Sequence, residues 1–506
     1  MFATVKESDA TGKSPVAHIA YSQVQRLEAS LGQAQQKIDE LESRLSQQKE
    51  GLGAPDPISP FREYHVSLTE AWSHEVGLEL PPRQKVLFAV DTYLKALNAV
   101  LPLFHPQRLL RCINGWYEHP DRRDTSTWAT VNVVLALAHR HIPIEETMPG
   151  NSTVYFLNNA QSALNEVIMG KSRLLDVQTL VGMVLLFQAT LDLKPAATLI
   201  AVALRLAHEL GLHTRSSSEQ LSSSEALERD RVFWIAYILD RDIAMRTNLP
   251  PVQRESDISI DWPPAAPTDE AGLVFTTDGS HSFNFFLSRV QLAHIQGEVY
   301  ETMGSISPPT LDAYVRLENV ARVHRMLDDW FARIPLQFRP NAIVQAGEMD
   351  LYRPFGVLYS THLKCRSLIC EVHVMESRWL QTLQGFSRKA AQEGVVTPPN
   401  LPAGWQELVY ESREYMRLFM HIEQKDPAFV WMTACTYILG SICLTANTIF
   451  NPLNPSRETD NYLADLAFTF LEDMIQQVPL ESLQRTRDSW DELLRHARAL
   501  PLQVAA

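Results

Sequence analysis

The sequence predicts an all-α protein, with a large multi-helix body preceded by a short N-terminal coiled-coil helix. In the body, residues 65–506, apolar side chains recur every three or four positions in one window after another. Strand-like alternation bounded by turn residues is scarce. Near the N-terminus a heptad repeat runs without a break. With 45% hydrophobic residues among 506, the chain can bury a substantial core.

The N-terminal segment divides into three parts. Residues 1–20 are small and polar and are predicted to be disordered, whereas 21–50 predict a dimerising coiled coil. Lys37 and Glu42 occupy the g and e positions that meet across a parallel pair. The a and d positions are Val24, Leu27, Leu31, Ala34, Ile38, Leu41 and Leu45. A single amphipathic helix docked on its own body is the alternative. Gly and Pro residues at 51–64 predict a linker.

The body is predicted as a succession of helices separated by long loops. The helical patterns cover 83–101, 125–140, 152–170, 174–191, 195–210, 225–248, 283–303, 310–333, 352–385, 405–424, 429–450 and 458–500. The loops at 216–224, 262–281 and 386–404 are rich in Ser, Pro and Gly.

A helical hairpin is predicted over residues 201–263. Gly211 supplies a left-handed cap to the first helix. Ser222 and Glu225 form a capping box that begins the second helix, and the prolines at 250 and 251 end it. The second helix is expected to bury one side, formed by Leu227, Val232, Ile235 and Leu239.

Asp240 follows an aromatic helix face and is expected to be partly buried. A buried carboxylate needs a positive partner. The candidates are Arg205, Arg231 and Arg241, and we expect a structural ion pair that joins the two helices of the hairpin.

Charge and cysteine usage restrict the function. The chain has 45 Lys and Arg against 59 Asp and Glu, a net charge of −14, and no basic patch stands out. Direct DNA contact by this chain is therefore not expected. No C-x-x-C pair occurs, so neither a disulfide framework nor a zinc cluster is predicted. Cys365 and Cys370, five apart on a predicted helix, are expected to be buried thiols. A reducing compartment fits best, and no secretory signal is visible. The five cysteines are Cys112, Cys365, Cys370, Cys435 and Cys443.

The uncharged run 431–450 reaches membrane-spanning length. It contains several Thr, Ser and Asn residues, and no Lys or Arg cluster flanks it to fix an orientation. A central buried helix is therefore the preferred interpretation, and no membrane partner is predicted.

The sequence contains none of the common catalytic motifs of helical or phosphate-binding enzymes. An Asp-rich Mg²⁺ site of the terpene-cyclase kind would need a third carboxylate near Asp328 and Asp329, and the spacing lacks one. There is no phosphate-binding glycine loop and no G-x-S-x-G elbow. We therefore name no catalytic, cofactor-binding or metal-binding residue and expect no cofactor.

Several blocks together resemble the regulatory (middle homology) domain of the fungal zinc binuclear cluster transcription factors. They are Leu101–Pro106, Arg205–Ala207 with Gly211–His213, Arg231–Trp234 with Tyr237 and Asp240–Arg241, Asp257–Ile258 with Pro263, Asp329–Trp330 with Ile334–Pro335, and the run 429–450. The resemblance covers about residues 85–500, and its structural motif residues are Arg205, Gly211, Arg231, Trp234, Asp240, Arg241 and Pro250. The chain departs from the pattern at Asn248–Pro250, where the family often has Gly-Arg-Pro.

The resemblance implies a transcription regulator of the nucleus that forms a homodimer or a heterodimer with a zinc-cluster factor. The six-cysteine cluster that precedes this domain in the family is not in these residues. The chain would then contact DNA only indirectly and act as a co-regulator or a dominant negative. Alternatively, these residues are a shortened version of an ordinary DNA-binding factor. In the family the helical domain is taken to modulate the activator, with a small-molecule effector as one means. An all-α enzyme of terpene-cyclase-like type and a non-enzymatic dimeric scaffold are the alternatives.

Overall fold

A computed structural model describes residues 78–141, 153–215, 221–304, 313–372, 377–393, 400–422 and 427–500. The chain divides into two units, Met1–Ser59 and Pro60–Ala506, and every described residue belongs to the second. The predicted disordered segment, coiled coil and linker all lie outside the described residues and stay predictions.

The N-terminal half of the described chain consists of nine α-helices. They are α1 (Arg83–Lys95), α2 (Leu97–Val100), α3 (Pro106–Glu118), α4 (Thr125–Ala138), α5 (Thr153–Ser162), α6 (Leu164–Met169), α7 (Leu174–Phe187), α8 (Lys194–Glu209) and α9 (Ser223–Thr247). Short 3₁₀ turns at Pro120–Arg122 and Glu255–Asp257 accompany them.

The C-terminal half begins with a small antiparallel hairpin, β1 (Leu273–Phe275) and β2 (Ser282–Asn284), in which Val274 faces Phe283. Nine α-helices follow it. They are α10 (Phe285–Val299), α11 (Ala313–Ala332), α12 (Pro340–Ala346), α13 (Met349–Ile369), α14 (Arg378–Glu393), α15 (Trp405–Met420), α16 (Pro427–Phe450), α17 (Arg457–Gln477) and α18 (Glu481–Ala499). A π-helical turn, Tyr300–Gly304, and a 3₁₀ turn, Leu336–Phe338, complete the described elements.

The all-α prediction is confirmed, but several element boundaries are wrong. The patterns at 83–101 and 152–170 are each interrupted, and those at 352–385 and 458–500 are each two helices. Helices α3 and α12 and the β-hairpin were not predicted. The expected loop at 386–404 is partly helical, because α14 continues to Glu393.

Helices α8 and α9 form the predicted hairpin. Gly211 has φ of 69°, and the Leu212 amide donates to the Ala207 carbonyl at 2.9 Å, so α8 ends in a left-handed glycine cap. Ser222 and Glu225 exchange the two hydrogen bonds of a capping box at the start of α9. Asn248, with φ of 57°, ends α9 just before the prolines.

Helix α9 is buried more completely than expected. Val232, Ile235 and Leu239 are buried as predicted, but every residue from 231 to 241 is buried, so the helix is covered on all sides there rather than on one. Leu227, one of the four residues assigned to that side, is only half-buried. A helix surrounded in this way lies inside the protein rather than on its surface.

Two hydrophobic clusters make up the core. One gathers side chains from α1 to α10, and the other gathers side chains from β1 to α18. Helix α9 packs on α7, α8 and α10, and α10 in turn packs on α11 and α13. Arg246 at the end of α9 donates to the Gln188 carbonyl at 2.6 Å and to the Trp431 carbonyl at 3.2 Å. Helices α9 and α10 therefore hold the two clusters together.

Helix α16 is the centre of the C-terminal cluster. It contacts α13, α14, α15, α17 and α18. Its segment Phe429–Phe450 is long and apolar enough to cross a membrane by length and composition, and 83% of that window is buried within the protein. The extensive packing agrees with the interpretation of a central buried helix.

Candidate functional site

The segment after α9 is clamped by Asp240. Its carboxylate accepts hydrogen bonds from the amides of Val252 at 2.9 Å and Gln253 at 3.0 Å, and from Arg241 Nη1 at 3.0 Å. The side chain is only 2% exposed. Burial raises the pKa of Asp240, and the two amides and Arg241 oppose that effect. The clamp folds the chain back along α9 immediately after the two prolines.

The predicted ion pair exists, but it does not join the two helices. Of the three candidate arginines, Arg241 is the partner, and it lies next to Asp240 on the same helix. The connection to α8 runs instead through Gln253, whose side-chain oxygen lies 2.5 Å from His208 Nε2. The sequence therefore predicted that Asp240 is buried and paired with an arginine. It did not predict that Asp240 binds the segment after α9, because the backbone amides that it binds are the same for every residue type.

Glu255 is the second centre of this clamp. It accepts hydrogen bonds from Tyr237 and from Arg241 Nη2, the latter at 3.2 Å, and His294 Nδ1 of α10 lies 3.5 Å away. Burial alone would raise the pKa of Glu255, but His294, Tyr237 and Arg241 lower it to about 2. The hydrogen bond to Glu255 in turn raises the pKa of His294. The cluster therefore joins α9, the following segment and α10 through charge.

The other motif residues hold the same segment farther along. Arg231 makes a bidentate ion pair with Asp269 at 2.6 and 2.7 Å, and Trp234 Nε1 donates to the Asp261 carbonyl at 3.1 Å. Arg205 and Pro250 are exposed. Arg231, Trp234, Asp240 and Arg241 thus share a role in shaping the region, whereas Arg205 forms no hydrogen bond or ion pair with the described residues of that segment.

Asp328 and Asp329, the aspartate pair without a third carboxylate, lie on α11. Asp328 accepts a hydrogen bond from the buried Arg366 at 2.6 Å, and Arg366 also binds Glu411 at 2.9 Å. Within the residues that the structure describes, no group of three His, Cys, Asp or Glu could hold a metal ion. Asp328 is therefore the partner of a buried arginine.

A cavity of about 1050 Å³ lies where the two hydrophobic clusters meet. Leu185 and Ile238 of the N-terminal cluster line it together with Phe285 and Phe429 of the C-terminal cluster. Met349, which is 75% exposed, lies at its edge, so the cavity opens to solvent. Its volume is at the upper end of the range of small-molecule sites, about 300–1000 Å³.

Polar groups enter the cavity wall from three helices. Asp242 of α9 accepts hydrogen bonds from Arg289 at 2.6 Å and Gln296 at 3.0 Å, both on α10. Arg246 of α9 and Lys364 of α13 also line the wall. Sequence reasoning missed all five residues, because each looks like an ordinary charged or polar position on its own helix.

Cys435 lies beside this wall, on α16. It is exposed, whereas Cys365, Cys370 and Cys443 are buried and Cys112 is half-buried. It is close enough to Arg246 and Lys364 to influence the pKa of both. The prediction that Cys365 and Cys370 are buried thiols is therefore confirmed.

Fold and site together define a class: a large all-α domain with a clamped helical hairpin and a ligand-sized internal cavity. Residues 90–332, which include the hairpin and more than half of the cavity lining, match the family described as the fungal specific transcription factor domain. The chain is thus similar over this segment to a domain of fungal transcription factors, and the relatives described next are named as such factors.

Individual relatives agree with this assignment. The chain is 30% identical over 438 residues to an "ABC-transporter-regulating transcription factor" of Aspergillus fumigatus, covering 85% of this chain and 48% of that protein. A protein of the same name in Aspergillus oryzae is equally similar. The "Fusaridione A cluster transcription factor fsdR" of Fusarium heterosporum is 28% identical over 427 residues, covering 83% of this chain and 78% of that one. The chain spans about half the length of the first two relatives.

Proposed function

We propose that the protein is a regulator of transcription that acts in the nucleus through its helical domain. The observation that carries the proposal is the family match over 90–332, together with relatives that are named as transcription factors along most of this chain. The net charge of −14 disfavours DNA contact through the helical body. We therefore infer a non-enzymatic role in which a partner supplies contact with DNA.

A tethering experiment tests this function. The chain is fused to an unrelated DNA-binding domain in a fungal host, and a reporter carrying sites for that domain is measured. We expect the fusion to raise or lower reporter expression relative to the DNA-binding domain alone. The disruptive variant Asp240→Ala should abolish this difference. Equal output with and without the chain, at equal protein levels, would refute a regulatory role.

The natural target genes can be sought directly. Two relatives carry a name that refers to the regulation of ABC transporters. Transcripts of transporter genes are therefore the first set to compare between a strain with the gene and one without it. Unchanged transcripts across the genome would contradict regulation by this chain.

Dimerisation through 21–50 is the second part of the proposal. Leu31 and Ile38 occupy consecutive a positions, so Leu31→Glu with Ile38→Glu places like charges at the helix seam. We expect the mass measured by light scattering to fall from that of a dimer to 57.3 kDa. The partner is a second copy of this chain or a zinc-cluster factor.

A matched control is available for the coil. Gln33→Glu with Gln36→Glu adds the same charges at the outward c and f positions and should leave the mass unchanged. A chain that is monomeric before any substitution would exclude the homodimer. A dimer that survives the Leu31 and Ile38 changes would place the interface elsewhere.

A further inference from the structure

The cavity wall is basic, although the protein as a whole is acidic. Six Lys and Arg side chains line the cavity against three Asp and no Glu, whereas the full chain has fewer basic than acidic residues. A concave site lined by one sign of charge concentrates ions of the other sign. The wall therefore favours an anion.

Two of these cations have no carboxylate ion-pair partner among the residues that the structure describes. They are Lys364 and Arg246, and Arg246 donates to the carbonyls of Gln188 and Trp431. Burial lowers the pKa of both side chains. Both side chains are half-buried in the cavity wall, where charges are less well hydrated than at an open surface, so a bound anion would offset part of this loss of hydration.

Two ion pairs on the wall are already formed. Asp242 accepts hydrogen bonds from Arg289 and Gln296, and Asp91 pairs with Lys95 at 2.7 Å. The charge of Asp242 also raises the pKa of Arg246, against the effect of burial, but the two side chains form no ion pair in the described structure. Arg289 is 3% exposed, and its Nη1 has no hydrogen-bond partner among the described residues. The wall thus combines two ion pairs with excess donors.

Most of the rest of the wall is apolar. Phe285, Phe429 and Met432 line it from the C-terminal half, and Leu185 and Ile238 line it from the N-terminal half. A cavity of about 1050 Å³ with this lining can bury an apolar body of drug-like size. A small inorganic anion would leave most of the apolar wall uncovered.

We propose that the cavity binds an organic anion with an apolar body, its acidic group beside Lys364 and Arg246 and its body against Phe285 and Phe429. Because the wall takes side chains from both hydrophobic clusters, such a ligand contacts both halves of the domain at once. The view of this ligand as an effector of transcription rests on the proposed function, whereas the binding itself does not.

Two fluorescent probes of matched shape test the proposal on the full chain. Anilinonaphthalene sulfonate carries an anionic group on an aromatic body, and N-phenyl-1-naphthylamine has the same rings without the charge. We expect the sulfonate to bind and to be displaced by decanoate but not by decanol. Binding of the neutral probe with equal or higher affinity would overturn the preference for an anion.

Lys364→Met identifies the site because it removes the charge and keeps the length of the side chain. We expect the sulfonate to bind about tenfold more weakly or worse, as for loss of one charged hydrogen bond, with the neutral probe unchanged. Since Lys364 has no ion-pair partner among the described residues, the variant should not lower the melting temperature. Lys364→Arg should restore binding, and Lys171→Met, at an exposed lysine outside the cavity, should have no effect.

Several outcomes overturn the proposal. They are unchanged sulfonate affinity in Lys364→Met, equal weakening of both probes, or the same loss in Lys171→Met. The reporter assay is independent of these measurements. Binding without reporter activity would refute the proposed function and leave the site intact, whereas reporter activity without binding would refute only the site.

Discussion

Asp240 shows how one buried carboxylate can shape a loop. Its two oxygens accept hydrogen bonds from two consecutive backbone amides and one guanidinium, and Arg241 also donates to the Gln253 carbonyl at 2.8 Å. Asp240 therefore accepts from two backbone amides of the segment that follows the prolines, and Arg241 donates to one of its carbonyls. Such a network is strong only when all of its members are present.

Asp240→Ala should destabilise the protein by about 2–5 kcal/mol, because it leaves two amides without an acceptor and the buried Arg241 with Glu255 as its remaining carboxylate partner. Urea denaturation measures the loss. The control is Asp91→Ala, since Asp91 forms an exposed ion pair with Lys95 whose removal should cost less than about 1 kcal/mol. Similar losses in the two variants would show that the clamp contributes no more than a surface pair.

His294 should make stability depend on pH. Glu255 raises the pKa of His294, and Glu298 acts in the same direction while Arg241 opposes it. The folded state therefore holds the proton more tightly than the unfolded state does. This contribution is complete below the ordinary histidine pKa of about 6.5 and is lost as the pH rises through the higher folded value.

His294→Gln removes this titration, so it should reduce the drop in melting temperature between pH 5.5 and pH 8.5. Thermal denaturation at the two pH values provides the comparison. His421→Gln, at an exposed histidine outside the Glu255 cluster, serves as the control and should keep the full drop. An identical drop in His294→Gln and the unmodified protein would mean that this pair does not set the pH dependence.

At the scale of the elements, helices α4 and α7 approach each other closely at a glycine. A Cβ atom on Gly182 would lie 2.4 Å from Val133 Cγ1, closer than side-chain atoms can approach. In contrast, apart from the adjoining backbone of α3 and the two neighbouring residues, no atom of the described residues lies within 4 Å of a Cβ placed on Gly115. The two glycines share a residue type but differ in what surrounds them.

Alanine should therefore have opposite effects at the two glycines. Gly182→Ala is expected to destabilise by about 1–3 kcal/mol through overpacking between α4 and α7. Gly115→Ala is expected to stabilise by up to about 1 kcal/mol, because alanine restricts the unfolded chain and favours the helix. Denaturant midpoints decide the signs, and a stabilising Gly182→Ala would show that the helices can separate at little cost.

The element boundaries reveal what a single sequence can and cannot indicate. The break between α17 and α18 lies at Pro479, a visible signal in the pattern 458–500. The break after α13 has no such signal, because Glu371, with φ of 57°, takes the left-handed position usually given to glycine. The Gly211 cap and the Ser222 capping box were predictable because they follow from residue type alone.

At the scale of the whole molecule, the cavity could not be predicted from the sequence. Its walls come from helices between α1 and α16, and only the packing of the two clusters brings them together. The residues that flank Lys364 in the sequence predict a helix, and nothing in them distinguishes Lys364 from a lysine on the protein surface. Periodicity therefore predicts which residues form the core but not where the core leaves space.

The charge of the whole chain leads to a prediction about DNA. With 14 more acidic than basic residues, the chain should not retard a random-sequence duplex in a gel at 50 mM salt. Addition of a DNA-binding partner should allow it to enter a complex. If the chain alone retards the duplex, and the effect weakens steeply as the salt concentration rises, the protein has a phosphate-binding surface. That result would contradict indirect contact with DNA.

The exposure of Cys435 has a practical consequence. Burial raises the pKa of Cys365, Cys370 and Cys443, which keeps those thiols in the unreactive protonated form. A maleimide dye should therefore attach first at Cys435, without any cysteine having to be introduced or removed. The label would lie beside Lys364 and Arg246, where a change in its emission would follow the occupancy of the cavity in real time.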